Sequence, residues 1–343
     1  MNTRTPRWGL VTIIAGTLLA SCGAAPAATT GTNPVPAATA APAAATDRYQ
    51  VALVLGQMSD SFYTSMQCGA QEAANRLGNV DLVVQGPAKW DASLQTPIVN
   101  ALVASQVDAI AIAVNDGKAL YAPLKTANDA GIKVIGVDTK LEDSSFVVTN
   151  ISSDNTALGV EAAKTLATLM GDKGTALTSA VPPGVSTVGE RVQGFLDEMK
   201  NNHPNIKVVY LGVNPGDSID AVVAAFNGSF TANPDLTGVF SVSNNESEAA
   251  ATAIRGLPAD MQQNIKVVSF DAGEALVEAL KAGKLQALVA QKPAEMGAQA
   301  VESAVKALKG ETVEKNIPTG GVGITADNVT TPEFSQFVYK SKC

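Results

Sequence analysis

Histidine is almost missing from this chain. The one copy, His203, stands in the polar turn Asn201-Asn202-His203-Pro204. That gives no basis for Ser/His or Cys/His nucleophilic catalysis, or for a histidine-ligated metal site. Phosphate-binding glycine loops are missing too. The turn after the first apolar run reads Gly56-Gln57-Met58-Ser59-Asp60-Ser61, without the Gly-x-Gly-x-x-Gly of a dinucleotide site, and no Gly-Lys-Ser/Thr loop occurs. Basic charge is scarce. Twenty-four Lys and Arg against 32 Asp and Glu give a formal net charge of −8 with no basic cluster, which argues against nucleic acid as a partner. We therefore expect no enzyme, no cofactor and no metal. With 46% hydrophobic and 16% charged residues, the chain reads as a globular protein. Its 343 residues suit about two domains.

The first residues read as a targeting segment. Arg4 and Arg7 precede a short apolar run, Gly9 to Leu19, too short to span a bilayer. It ends in Leu19-Ala20-Ser21-Cys22-Gly23, which resembles the lipobox of bacterial lipoproteins. The resemblance implies that residues 1–21 are a signal peptide and that Cys22 is lipidated, which would hold the protein extracytoplasmically at the outer face of the membrane. Residues 22–48 are rich in Ala, Pro and Thr, lack the apolar side chains needed to fold, and read as a tether. No second hydrophobic span of membrane length follows.

From Gln50 onward, apolar runs alternate with amphipathic stretches. Strands are expected at Val51-Leu55, Asp81-Val84, Ala109-Val114, Lys133-Val137, Phe146-Thr149, Thr175-Ser179, Lys207-Leu211, Gly238-Val242, Lys266-Phe270 and Leu285-Ala290. Helices are expected at Ser61-Leu77, Leu94-Ser105, Ala119-Ala130, Thr156-Met170, Thr187-Asn201 and Ala294-Lys309. Continuous apolar strands alternating with helices predict parallel, doubly wound α/β sheets, and the length favours two of them. A crossover is expected near Thr149-Ile151.

In open α/β sheets ligands bind at the carboxyl ends of the strands. Those ends carry Asp60, Phe62 and Tyr63, then Asp138, then Asn244-Asn245, then Asp271, then Gln291. Carboxylates and carboxamides suit hydroxyls, and aromatic faces such as Phe62, Tyr63 and Trp90 suit the C–H face of a sugar ring. Helix capping is the competing reading: Asp60 before Ser61, Asp271 with Glu274, and Asn245 with Glu248 all fit N-cap patterns. Trp90 is either a stacking surface or a structural Trp leading into a helix.

The order of Val51-Ala52-Leu53-Val54, Asp60-Ser61-Phe62-Tyr63, Gly136-Val137-Asp138-Thr139, Glu190-Arg191-Val192-Gln193-Gly194-Phe195, Asn245-Glu246, Ser269-Phe270-Asp271 and Leu288-Val289-Ala290-Gln291 resembles the ribose-type periplasmic sugar-binding proteins. The resemblance implies a type I periplasmic binding fold, with two lobes joined by a three-crossover hinge. It divides the chain into a first lobe of 49–150 plus 292–317, a second of 151–291 plus about 318–330, and a tail, 331–343, returning to the first. It implies a monosaccharide, pentose or hexose, held by Asp60, Phe62, Tyr63, Trp90, Asp138, Arg191, Asn245, Asp271 and Gln291. It also implies a monomer that hands its sugar to an ABC transporter permease with a separate ATPase. The same frame serves receptors for signalling furanoses and chemosensory ligands, which is the alternative reading. The chain departs from the ribose binders at Thr139, where they carry Arg, at Asp60, where Asn is usual, and at Asp217-Ser218-Ile219, where they place a Phe. The particular sugar is therefore open.

If Cys22 is acylated, Cys68 and Cys343 are left as a pair in an oxidising compartment, and a disulfide is expected between them. Cys68 falls on the side of its helix opposite the stripe Phe62, Met66, Ala70, Ala73 and Leu77, away from an obvious core position.

Overall fold

The computed structural model describes residues 48–180, 184–212 and 218–343. The expected signal segment, Cys22, almost all of the expected tether, and Asp217 lie outside the described residues.

The chain begins with β1 (Tyr49–Val54), α1 (Ser61–Leu77), β2 (Val80–Gln85), α2 (Ala92–Ala104), β3 (Ala109–Ile112), α3 (Tyr121–Asp129), β4 (Lys133–Val137) and β5 (Asn150–Ser153). It continues through α4 (Asn155–Met170), β6 (Gly174–Ser179), α5 (Ser186–Asn202), β7 (Ile206–Leu211), α6 (Ile219–Ala232), β8 (Leu236–Ser241), α7 (Asn244–Arg255), α8 (Ala259–Asn264), β9 (Lys266–Phe270), α9 (Glu274–Lys281) and β10 (Ala287–Ala290). Last come α10 (Pro293–Leu308), β11 (Asn316–Thr319), β12 (Val322–Ile324) and α11 (Pro332–Ser335).

These strands form two six-stranded sheets, ordered β11-β5-β4-β3-β1-β2 and β12-β10-β9-β8-β6-β7. Each carries the same doubly wound order, first strand beside second and third, then fourth and fifth, completed at the edge by a short strand from the chain's last section. All pairings are parallel except β12 against β10. The chain passes between sheets after β5, after β10 and between β11 and β12, which makes three crossings. Central strands such as β3 and β10 are buried along their length, as continuous apolar runs covered on both faces should be.

One expected strand moves. Phe146 stands in a turn closed by Val147 N–H donating to Ser144 O at 3.1 Å, and Val148 and Thr149 lead from it toward the strand, already bonded to β4 through Val148 N–H to Val134 O (2.8 Å) and Gly136 N–H to Thr149 O (2.9 Å). The strand is Asn150-Ile151-Ser152-Ser153, seated between β4 and β11, so the crossover follows Ser153. Its serines are buried because β11, contributed from more than 150 residues away, covers its far edge.

Each lobe is also built around one close helix crossing. A Cβ on Gly69 of α1 would lie 1.9 Å from Ala294 O of α10, and one on Gly297 of α10 would lie 1.9 Å from Met66 O. In the second lobe Gly159 of α4 and Gly194 of α5 repeat the arrangement, at 2.0 Å from Arg191 O and 2.3 Å from Thr156 O. Glycine lets the backbones touch where any side chain would hold them apart.

The tail packs on α1. Lys340 N–H donates to Ser65 Oγ at 2.7 Å, and Cys343 is bonded to Cys68 with the Cα atoms 5.4 Å apart. Cys68 is buried, at 3% exposure, contrary to what its helical position suggests, because α1 is covered on that side as well.

Candidate ligand-binding cleft

The carboxyl ends of both sheets face a common cleft. The lobes meet across it where Gly117 N–H donates to Gly184 O (3.1 Å), Lys140 N–H donates to Ser186 Oγ (2.9 Å), and Lys140 Nζ pairs with Glu190 Oε1 (3.0 Å).

Two aspartates occupy matching places. Asp138 follows β4, the fourth strand of its sheet, and Asp271 follows β9, the fourth strand of the other. Both have left-handed backbone, with φ of 64° and 73°. The Asp138 N–H donates to Ile151 O at 2.7 Å, and the Asp271 N–H donates to Val289 O at 2.8 Å, so each is tied to the neighbouring fifth strand. Asp tolerates this conformation better than most side chains. The sharp turn ends the strand and buries both carboxylates.

Asp138 accepts from Tyr63 Oη at 2.8 Å. Burial pushes its carboxyl up to about 6. The Tyr63 hydrogen bond and the Arg191 charge pull it down, while Asp271 pushes it up. Asp271 is held by three donors: Asn244 N–H on Oδ2 (2.9 Å), and Gln291 Nε2 and Tyr339 Oη on Oδ1 (2.8 Å each). Arg191 is buried between them. It donates to Val242 O and to Asn155 Oδ1 (2.7 Å), and its Cζ lies 3.4 Å from the centroid of the Phe270 ring. Burial lowers its pKa, against the opposing pull of Asp271 and Asp138. Glu246 lies beneath, accepting from Ser179 Oγ (2.5 Å) and Val242 N–H (3.3 Å), and burial raises it to about 7.

The aromatic wall comes from α1 and the segment before α2. Tyr63 stacks on half-buried Trp90 with centroids 6.2 Å apart, and the indole N–H donates to Asn115 O at 3.0 Å. A Cβ at Gly56 would meet both rings, 2.4 Å from Trp90 Cζ3 and 2.5 Å from Tyr63 Oη, so that glycine makes room for the pair. Phe62 is 5% exposed and packs edge-on against Tyr63 and Tyr339, which makes it a support for the wall.

The capping readings separate. Asp60 does cap α1, accepting from Phe62 N–H at 2.9 Å. Burial, then repulsion from Asp271, raises it to about 7. Asp271 does not cap α9, whose N-cap is Gly273; its carboxylate instead accepts the first N–H of α7, from Asn244. Nor does Asn245 cap α7. Ser243, in extended backbone, caps α7 and accepts from Glu246 N–H at 3.3 Å, which places the N-cap two residues upstream. With that shift it is Asn244 that is buried against Asp271, while Asn245 is half-exposed.

Several buried polar atoms have no hydrogen-bond partner among the described residues: both side-chain atoms of Asn115, Arg191 Nε, Asn244 Oδ1 and Gln291 Oε1. Each is costly unless something polar meets it. Asn115 was not anticipated, although it stands just beyond β3 as Asp138 stands beyond β4, and the strand-end rule would have found it. Tyr339 was not anticipated either, and nothing in its local sequence points to the cleft.

The sequence matches the periplasmic binding protein domain over residues 51–312. It is 32% identical over 274 residues to the ribose import binding protein of Escherichia coli (strain K12), covering 78% of this chain and 88% of that protein. It is 29% identical over 303 residues to a D-ribose/D-allose-binding protein of Pseudomonas aeruginosa, covering 83% and 90%. Among solved structures, an ABC transporter solute-binding protein from Agrobacterium vitis bound with alpha-D-tagatopyranose superposes with a TM-score of 0.81 at 37% identity, covering 85% of this chain and 100% of that one. A second from Agrobacterium vitis, with bound D-fucose, gives 0.79 at 30% identity, covering 84% and 100%.

Proposed function

The chain belongs to the periplasmic binding protein family, and from that premise we propose that it captures a monosaccharide between its lobes and delivers it to an ABC-type import permease. The observation that carries this reading is the facing pair Asp138 and Asp271, with orphaned amide atoms of Asn115, Asn244 and Gln291 and the Tyr63–Trp90 stack nearby. Sugar hydroxyls both donate and accept, so one ring satisfies carboxylates, amides and the guanidinium together. Asp60, Phe62, Tyr63, Trp90, Asp138, Arg191, Asp271 and Gln291 form the proposed site, with Asn244 favoured over Asn245.

The proposed mechanism is hinge closure. A sugar bound to one lobe bridges to the other, and it shifts the equilibrium by its preference for the closed form. The reading extends to a lipid anchor at Cys22, a monomer, and an extracytoplasmic location. A thermal-shift screen of pentoses and hexoses tests it. At least one monosaccharide should raise the melting temperature in a dose-dependent way, and a flat response across the panel would count against a sugar ligand.

A further inference from the structure

We propose that the C-terminal tail is a fourth, covalent link between the lobes, and that Tyr339 on it is a positioning residue that fixes Asp271 for the ligand. Only the affinity readout below rests on the monosaccharide reading.

The chain crosses between sheets three times, and the tail adds a further bridge. Tyr339 is 2% exposed and is bound to the second lobe. Its N–H donates to Ala272 O (2.9 Å), its hydroxyl donates to Asp271 Oδ1 (2.8 Å), and the Tyr339 hydroxyl oxygen accepts from the backbone Gln291 N–H (3.0 Å). Its ring meets Phe62 of the first lobe edge-on at 5.7 Å. The next residue, Lys340, donates its N–H to Ser65 on α1, and Cys343 is bonded to Cys68 on the same helix. Residues 339–343 thus run from the binding edge of one lobe to a helix of the other. The tail lies beyond the residues matched by the family, 51–312, whereas Asn244 and Gln291, the other two donors to Asp271, lie within them.

The consequence is mechanical. When the second lobe swings away, Asp271 and Ala272 move relative to Ser65 and Cys68. The disulfide keeps the tail on α1, so either Tyr339 gives up its three hydrogen bonds or opening is limited. The tail therefore raises the closed population before ligand arrives, and apparent affinity rises with that population. Losing the hydroxyl strips a donor from Asp271 and leaves the Gln291 N–H without an acceptor.

The test uses the full chain carrying C343S, Y339F, or both. Calorimetry is done with the monosaccharide that gives the largest thermal shift, and small-angle X-ray scattering is done on ligand-free protein. C343S should weaken the sugar about threefold to tenfold, and Y339F about tenfold. The double variant should be no weaker than Y339F, because the disulfide acts through Tyr339. Both single variants should show a larger ligand-free radius of gyration. Effects that multiply would overturn the proposal. So would wild-type affinity and radius in C343S, or a Y339F protein that melts earlier yet keeps its affinity and radius. A protein that takes up no monosaccharide but expands on C343S would sink the sugar reading and keep the strap.

Discussion

Asp60 sits where three other acids reach it. Burial comes first, then the charge of Asp271, followed by Glu248 and Asp138, and together they raise it to about 7. An unfolded Asp titrates near 4. Between about pH 4 and 7 the folded chain therefore holds a proton that the unfolded chain has released, and stability falls as pH rises through that window. Asp138, at about 6, and Glu246, at about 7, act in the same direction. Asp60→Asn keeps an N-cap acceptor for Phe62 N–H and removes the titration. The ligand-free wild type should lose melting temperature from pH 5 to 8, and D60N should lose less; equal slopes would remove Asp60 from the account. At this scale the sequence was informative wherever a strand ends: Asp138, Asp271 and Gln291 were all legible from that rule. Asn244 rather than Asn245 is buried against Asp271, because Ser243 starts α7 earlier than the Asn-Glu pattern suggests. Tyr339 was illegible because it reaches Asp271 from 68 residues away.

Helices and strands were mostly legible because apolar period and caps agree. Ser61–Leu77 is a helix with Asp60 before it and left-handed Gly78 after it. An expected strand that shifted, β5, is polar-looking and buried by a partner from a distant part of the chain, and α6, α8, β11 and β12 were not read from the sequence at all. The glycine crossings were not legible either, since a helix-interior glycine reads as a weakness until its partner helix is known. They yield a prediction with two signs. Gly69→Ala forces α1 and α10 apart and should cost about 1–3 kcal/mol. Gly228→Ala, at an exposed position of α6 with nothing within 4 Å, should gain about 0.5–1 kcal/mol. Urea midpoints measured side by side decide it, and a stabilised G69A would contradict the close crossing.

Over the whole molecule, two sheets of identical strand order place one aspartate each at the same position, and the cleft is what their opposition creates. Among the described residues no helix is long and apolar enough to cross a membrane, so the proposed attachment rests on Cys22. Cys22→Ala should move the protein from the membrane fraction to the soluble fraction; continued pelleting with incorporated acyl label would refute the anchor. The two-lobed fold was legible from the order of motifs, while the sugar's identity was not, because stereochemistry is set by side chains from both lobes at once. The most direct measurement is calorimetric titration of the sugar with the largest thermal shift into wild type, D138A and D271A. The account predicts one site per wild-type chain and a loss of about tenfold or more in each variant, since each lost buried hydrogen bond costs on the order of 1–3 kcal/mol. Unchanged affinity in both variants would contradict it.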